Sequence, residues 1–124
     1  MKIRITAGSV TVEGELFETG CARAVADQLP IVATPDEWGD EFYFTIPVEA
    51  RLDETAAKNV KVGDIGYWPP GNALAIFFGP TPLSSGSDPV PASAVNLVGR
   101  VTGDATALKE AKGSRQIRIE RVGA

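Results

Sequence analysis

Histidine does not occur in the chain. Its absence removes the commonest general base, the commonest transition-metal ligand, and every Ser-His or Cys-His nucleophile pair. The lone cysteine, Cys21, excludes an internal disulfide. No apolar run reaches the ~18 residues that a membrane span requires. The start, Met1-Lys-Ile-Arg-Ile, enters strand-like alternation without the apolar stretch of an export signal. Positive charge is also short, with 12 Lys and Arg against 16 Asp and Glu and a net charge of −4. Sequence-independent binding to nucleic acid needs a positive surface that displaces counterions. These readings predict a cytoplasmic protein with no nucleic-acid or membrane partner, no metal and no cofactor.

What remains is an ordinary globular composition, 44% apolar and 23% charged over 124 residues. That length predicts a single domain over residues 1–124, large enough to bury a core without disulfide or metal. Aromatics are few, and Gly63–Pro82 holds Tyr67, Trp68, Phe77 and Phe78. In its middle, Pro69-Pro70-Gly71-Asn72 excludes a helix and predicts a turn, because proline fixes φ while Gly and Asn tolerate positive φ. Two apolar runs around such a turn read as paired strands at the centre of a sheet.

The rest of the chain reads mainly as short strands. Ile3 and Ile5, then Val10, Val12 and Leu16, repeat with the period of two. Ala22, Val25, Ala26 and Leu29 share one face of a helix with Thr19 as N-cap and Pro30 as terminator. Cys21 lies in its first turn and reads as a small apolar filler. Four carboxylates surround Trp38 in Pro35–Glu41, but their spacing is not that of a calcium loop. That stretch reads as a solvated acidic turn, with Trp38 as a lid on the core.

Glu41–Pro47 is a strand with Phe42, Phe44 and Ile46 on one face and Glu41, Tyr43 and Thr45 on the other. Arg51–Asn59 reads as a loop with a short helical turn, and Leu83–Val90 as a flexible loop. Ala94–Val101 is a buried strand, and Asp104 caps a short helix that Gly113 ends. Arg115–Val122 alternates again. About eight strands and two helices predict a closed eight-stranded barrel capped at its ends.

Several segments resemble cyclophilins. Asn96-Leu-Val-Gly-Arg-Val101, the short helix, then Gly113-Ser-Arg-Gln-Ile-Arg-Ile119 and Val122-Gly123 resemble their C-terminal third. Ala75-Ile-Phe-Phe78 is similar to one of their strands, and Phe42-Tyr-Phe-Thr-Ile-Pro47 to another. Trp38-Gly-Asp-Glu-Phe-Tyr-Phe44, Val62–Gly71 with its Gly-Tyr-Trp-Pro-Pro-Gly block, and Pro91–Asn96 resemble a family of small prokaryotic cyclophilin-like proteins of unassigned function. The likeness runs from Ile31 onward and implies the cyclophilin-like barrel.

It does not imply the isomerase. Cyclophilins twist an X-Pro bond with an arginine that donates to the prolyl carbonyl. Phe44 fills that slot here, and a slip of one residue gives Tyr43 or Thr45. Arg51, the nearest arginine, lies beyond Pro47, the proline that anchors the match. Phenylalanine cannot supply the preorganised donor.

The resulting expectation is a peptide- or small-ligand-binding module, with Glu41, Tyr43, Phe44, Trp68, Ile76 and Phe78 as candidate ligand-binding residues and no assigned catalytic residue. The enzymatic alternative draws on Asp36, Asp40, Glu41, Asp64, Tyr43, Tyr67, Arg51, Arg100 and Arg118. It covers weak prolyl isomerisation or an accessory role in amide-bond hydrolysis, the latter by fold analogy. A structural role through pairing of edge strands into a homodimer is the third reading.

Overall fold

The computed structural model describes residues 1–123 and is mainly β. Ten strands form one antiparallel sheet. They are β1 (Lys2–Ala7), β2 (Val10–Leu16), β3 (Ile31–Ala33), β4 (Asp36–Glu37), β5 (Glu41–Thr45), β6 (Ala56–Ala57), β7 (Asp64–Trp68), β8 (Ala73–Phe77), β9 (Val95–Val101) and β10 (Ile117–Arg121). Helix α1 spans Gly20–Ala26, and a 3-10 helix spans Ala105–Ala111. No helix among the described residues is long and apolar enough to cross a membrane.

The spatial order is β3-β10-β1-β2-β9-β7-β8-β5-β4, with β6 paired to β9. The expected closed barrel is therefore corrected: no ladder joins β3 to β4, and the sheet is open. Its two ends are nevertheless consecutive in the chain, separated by Thr34 and Pro35. Three Cα steps hold Ala33 and Asp36 within about 11 Å. The sheet curls until its edges meet at a covalent link, where proline has no N–H to extend a ladder.

Inside the curl lies the main core. Ile3, Ile5, Ile65, Leu74, Ile76, Phe78, Leu108, Ile117 and Ile119 are all fully buried. Phe42 and Phe78 stack at a tilt of 46°, with ring centroids 4.7 Å apart. Thr19 caps α1 by accepting from the Ala22 amide at 3.1 Å, and Asp104 caps the 3-10 helix by accepting from Thr106 at 3.0 Å. α1 ends at Ala26 rather than running to Pro30, so Leu29 packs against the core from beyond the helix. Cys21 is buried in α1, and burial raises its thiol pKa, which suits an inert filler.

The central pair forms as the sequence predicts, with Tyr67 opposite Leu74 and Trp68 opposite Ala73. Its connection makes one 3-10 turn over Pro69–Gly71, where the sequence excluded a helix. Pro69 and Pro70 occupy N-terminal positions whose N–H groups need no partner within the turn. Asn72 then closes it at φ 46°.

Residues 51–59 hold a two-residue strand instead of a helical turn. Local side chains explain the difference. Asp53 accepts from the Thr55 amide at 2.8 Å, while buried Asn96 accepts from the Asp53 amide and donates to the Arg51 carbonyl, each at 2.9 Å. The 83–90 loop is likewise tied down. Ser84 donates to the Asp88 carbonyl at 2.7 Å and accepts from the Thr81 amide at 2.9 Å.

Buried Asn96 fastens the 51–57 segment through both ends of its amide. Asn96→Ala leaves a backbone amide and a carbonyl without partners, and should cost about 1–3 kcal/mol. Urea denaturation checks this, with a lower midpoint expected. An unchanged midpoint would show that water replaces the asparagine at no cost.

Candidate functional site

Strand alternation gives the sheet a second, outer face. Opposite the core, Glu41 pairs across from Phe77, Tyr43 from Ala75 and Thr45 from Ala73. Val60, Ala75, Phe77 and Val95 form a small apolar cluster there, with Tyr43, Trp68 and Leu97 packed on it. Above that cluster opens a cleft of about 140 Å³. β5 contributes Glu41 and Tyr43, and the β4–β5 turn contributes Trp38. Trp68 comes from the end of β7, and Pro91, Ala92 and Val95 form the far wall.

Each wall is held by identifiable contacts. The Trp68 indole Nε1 donates to Ser93 Oγ at 2.7 Å, tying β7 to the far wall. A Cβ on Gly71 would stand 2.9 Å from the indole ring, so only glycine lets Trp68 lie on the turn. Gly66 serves the other side, since a Cβ there would come within 2.7 Å of Val95 Cγ2. Trp38 sits in a turn closed by its amide donating to the Glu41 carbonyl at 3.0 Å. Gly39, at φ 61°, lets that turn press onto Thr81 and Pro82. Tyr43 and Trp68 stand nearly edge to face, centroids 6.5 Å apart and planes at 76°, so ring surface faces the space from two directions.

The acidic turn divides its carboxylates between tethering and the cleft. Asp40 pairs with Lys112 at 2.9 Å and lies 3.8 Å from Lys109, and Glu37 accepts from the Gly113 amide at 2.6 Å. These contacts bind the turn to the end of the 3-10 helix. Among the described residues, no group of three or more Cys, Asp or Glu side chains is arranged to hold a metal.

Glu41 differs from its neighbours. It is only 7% exposed, and among the described residues no side chain or backbone group donates to its carboxylate. Among the described residues no fully enclosed side-chain oxygen or nitrogen lacks a partner, so the Glu41 oxygens keep some exposure, and Glu41 lines the cleft. Desolvation by burial raises its pKa to about 7.

Of the six residues expected at a site, the structure brings Glu41, Tyr43 and Trp68 together. Phe44, Ile76 and Phe78 are corrected to the interior, where they are 2% exposed or less. The reason is parity. Phe44 faces Leu74 and Phe42 faces Ile76 on the core side, so Phe77 and Ala75 form the outer floor instead. Trp38, read as a core lid, lines the cleft, and its position three residues before Glu41 was the available signal. Nothing local marks Pro91, Ala92 and Val95, which come to the end of β7 because the next residue of β9, Asn96, pairs with Tyr67. No arginine lines the cleft, and Arg51 lies exposed on the loop after β5. Among the enzymatic candidates, Asp64 accepts from the Lys61 amide at 2.9 Å, Tyr67 is buried, and Arg100 and Arg118 pair with Glu15 and Glu120.

A model of the family described as cyclophilin-like matches residues 1–120, and the chain belongs to that family. The solution structure of a hypothetical protein from Archaeoglobus fulgidus is similar, at 40% identity and a TM-score of 0.81. The match covers 98% of this chain and 95% of that one. No curated protein matches the chain.

The Glu41 environment has a pH signature. With a folded pKa near 7 against 4.5 in the unfolded chain, the native state holds the extra proton between those values. Its stabilising contribution is full below pH 4.5 and is lost as pH rises through 7. After allowance for solvent screening, the loss is about 1–3 kcal/mol. Glu41→Gln should therefore match the parent at pH 4 and exceed its thermal stability at pH 8. Equal melting temperatures at pH 8 would mean the carboxylate is already well solvated.

Proposed function

We propose that this chain is a ligand-binding module whose site is the outer cleft between β5, the end of β7 and the segment before β9. One observation carries the reading: three aromatic side chains and one open, unpartnered carboxyl line a single small concavity. Apolar walls with a few convergent polar groups are the usual make-up of a small-molecule site. The walls are also preorganised by the Ser93, Gly71 and Gly39 contacts, which limits the ordering cost of binding. At about 140 Å³ the space approaches the ~150 Å³ of a cavity that takes up one benzene ring. The ligand is accordingly a small molecule, or a peptide that inserts one side chain.

Strong prolyl isomerisation is not part of this reading. Stabilising a twisting X-Pro bond needs a fixed donor at the carbonyl oxygen. The cleft offers no Arg or Lys for that task. A catalytic alternative has one specific support: a carboxyl with pKa near 7 is matched to acid–base work at neutral pH. Weak isomerisation, or assistance in amide-bond hydrolysis, falls under that alternative.

NMR titration of the intact protein with a fragment set and proline-containing peptides tests the module. Amide shifts should concentrate at Trp38, Glu41, Tyr43, Trp68 and Ala92, and Trp68→Phe should weaken them. Shifts confined to the 83–90 loop would remove the cleft from consideration. An isomerase assay on a proline peptide should show no strong acceleration. A strong rate lost in Glu41→Gln would instead establish the catalytic alternative.

A further inference from the structure

We infer that the ligand head group is an N-alkylated ammonium, carried either by a free quaternary amine or by a methylated lysine side chain. This rests on the binding reading above and specifies its chemistry.

The argument begins with what the cleft leaves unsatisfied. The Glu41 carboxylate shares one cleft with Trp38, Tyr43 and Trp68, has lost most of its water, and has no Lys, Arg or N–H donor in compensation among the described residues. Burying an unpaired charge is unfavourable, and an apolar residue at the same place would avoid the cost. Aromatic rings deepen the imbalance, because their faces are negative and repel an anion while attracting a cation. Ring surfaces and carboxylate thus act together, and both favour positive charge in the cleft. Anions are excluded by the same fields.

The remaining polar groups decide which cation. A primary ammonium brings three N–H donors and a tightly held hydration shell, and a guanidinium brings five donors. The cleft offers little to receive them. Ser93 Oγ is engaged by Trp68 Nε1, and Pro91, Ala92 and Val95 present apolar surface. One carboxylate cannot satisfy a full set of donors. Methyl groups replace those donors with apolar surface that packs on the rings while the charge persists. An alkylated ammonium is also weakly hydrated, so little is lost on entering a dry pocket. The head is a group of about the volume of a benzene ring or less, which matches the ~140 Å³ available.

The test titrates the intact protein with choline and with its neutral isostere 3,3-dimethyl-1-butanol, following cleft amides by NMR and tryptophan fluorescence. Choline should bind saturably, and about tenfold more tightly than the isostere. Peptides bearing trimethyllysine or unmodified lysine form the second arm. Preference for the trimethyllysine peptide over choline assigns the ligand to a modified chain, and the reverse assigns it to a free cation. Glu41→Gln should weaken choline about tenfold while leaving the isostere unchanged. Gly71→Ala, which displaces the Trp68 ring, should weaken both. Isostere binding equal to choline, or an unmodified lysine preferred to its methylated form, overturns the ammonium inference and leaves the binding module standing. No cleft response to these compounds or to the fragments and peptides overturns both.

Discussion

Glu41 stands opposite Phe77, and Phe42 opposite Ile76, and this register between β5 and β8 divides the molecule into its two working faces. Because successive side chains point to opposite sides, a slip of β5 by one residue would exchange the faces of that strand. Phe42 and Phe44 would leave the core, and Glu41 and Tyr43 would enter it. The register is held from both directions. The inner face is deeply apolar, with Phe42 packed on Phe78 at 4.7 Å. On the outer face, Glu41 and Tyr43 line the cleft. The inner face does not tolerate a glutamate without a partner, so the strand pair has one stable arrangement.

The cleft depends on the same sheet but is completed by its edges. Curling brings β3 and β4 to either side of Thr34-Pro35, and the next turn carries Trp38 over the outer face. That turn is then anchored at three points: the Phe78 amide donates to the Asp40 carbonyl at 2.9 Å, the Asp40 amide to the Pro80 carbonyl at 2.8 Å, and Lys112 pairs with the Asp40 side chain. The backbone bonds are shielded and hold the turn to β8. The exposed ion pair adds at most about 1 kcal/mol. Asp40 therefore acts chiefly through its backbone, and its negative charge gives little to the site one residue away.

The sequence made the strands legible because their signal is local. Ile3 and Ile5, Ile117 and Ile119, and the Tyr67–Leu74 pair around Pro69-Pro70 all follow from period and turn chemistry. The cyclophilin-like family was legible as well, through the Gly-Tyr-Trp-Pro-Pro-Gly block. Closure was not, because strand count alone does not say whether the last ladder forms, and Pro35 stands where it would. Phe44, Ile76 and Phe78, expected as ligand residues, lie in the core, where the alternation of Phe42, Phe44 and Ile46 already points. Half of the cleft was invisible for a different reason. Val95 reaches Trp68 only after β9 pairs with β7, a contact that no local pattern encodes.

At Glu41 local rules and the final structure disagree without a structural gain. Its side chain makes no ion pair and no hydrogen bond among the described residues, and its burial favours the protonated form. An apolar residue there would join Phe77 and Val95 on the outer cluster and raise stability at neutral pH. Consistency across local preference, packing and charge is what makes a fold stable, and departures concentrate where a site has work to do. The other carboxylates of the turn avoid the cost of unpaired burial: Asp40 meets lysine, Glu37 meets a backbone amide, and Asp36 is exposed to water. Only the residue facing the aromatic walls bears it. The same enclosure that raises its proton affinity would strengthen its attraction for a cation that enters and displaces that proton.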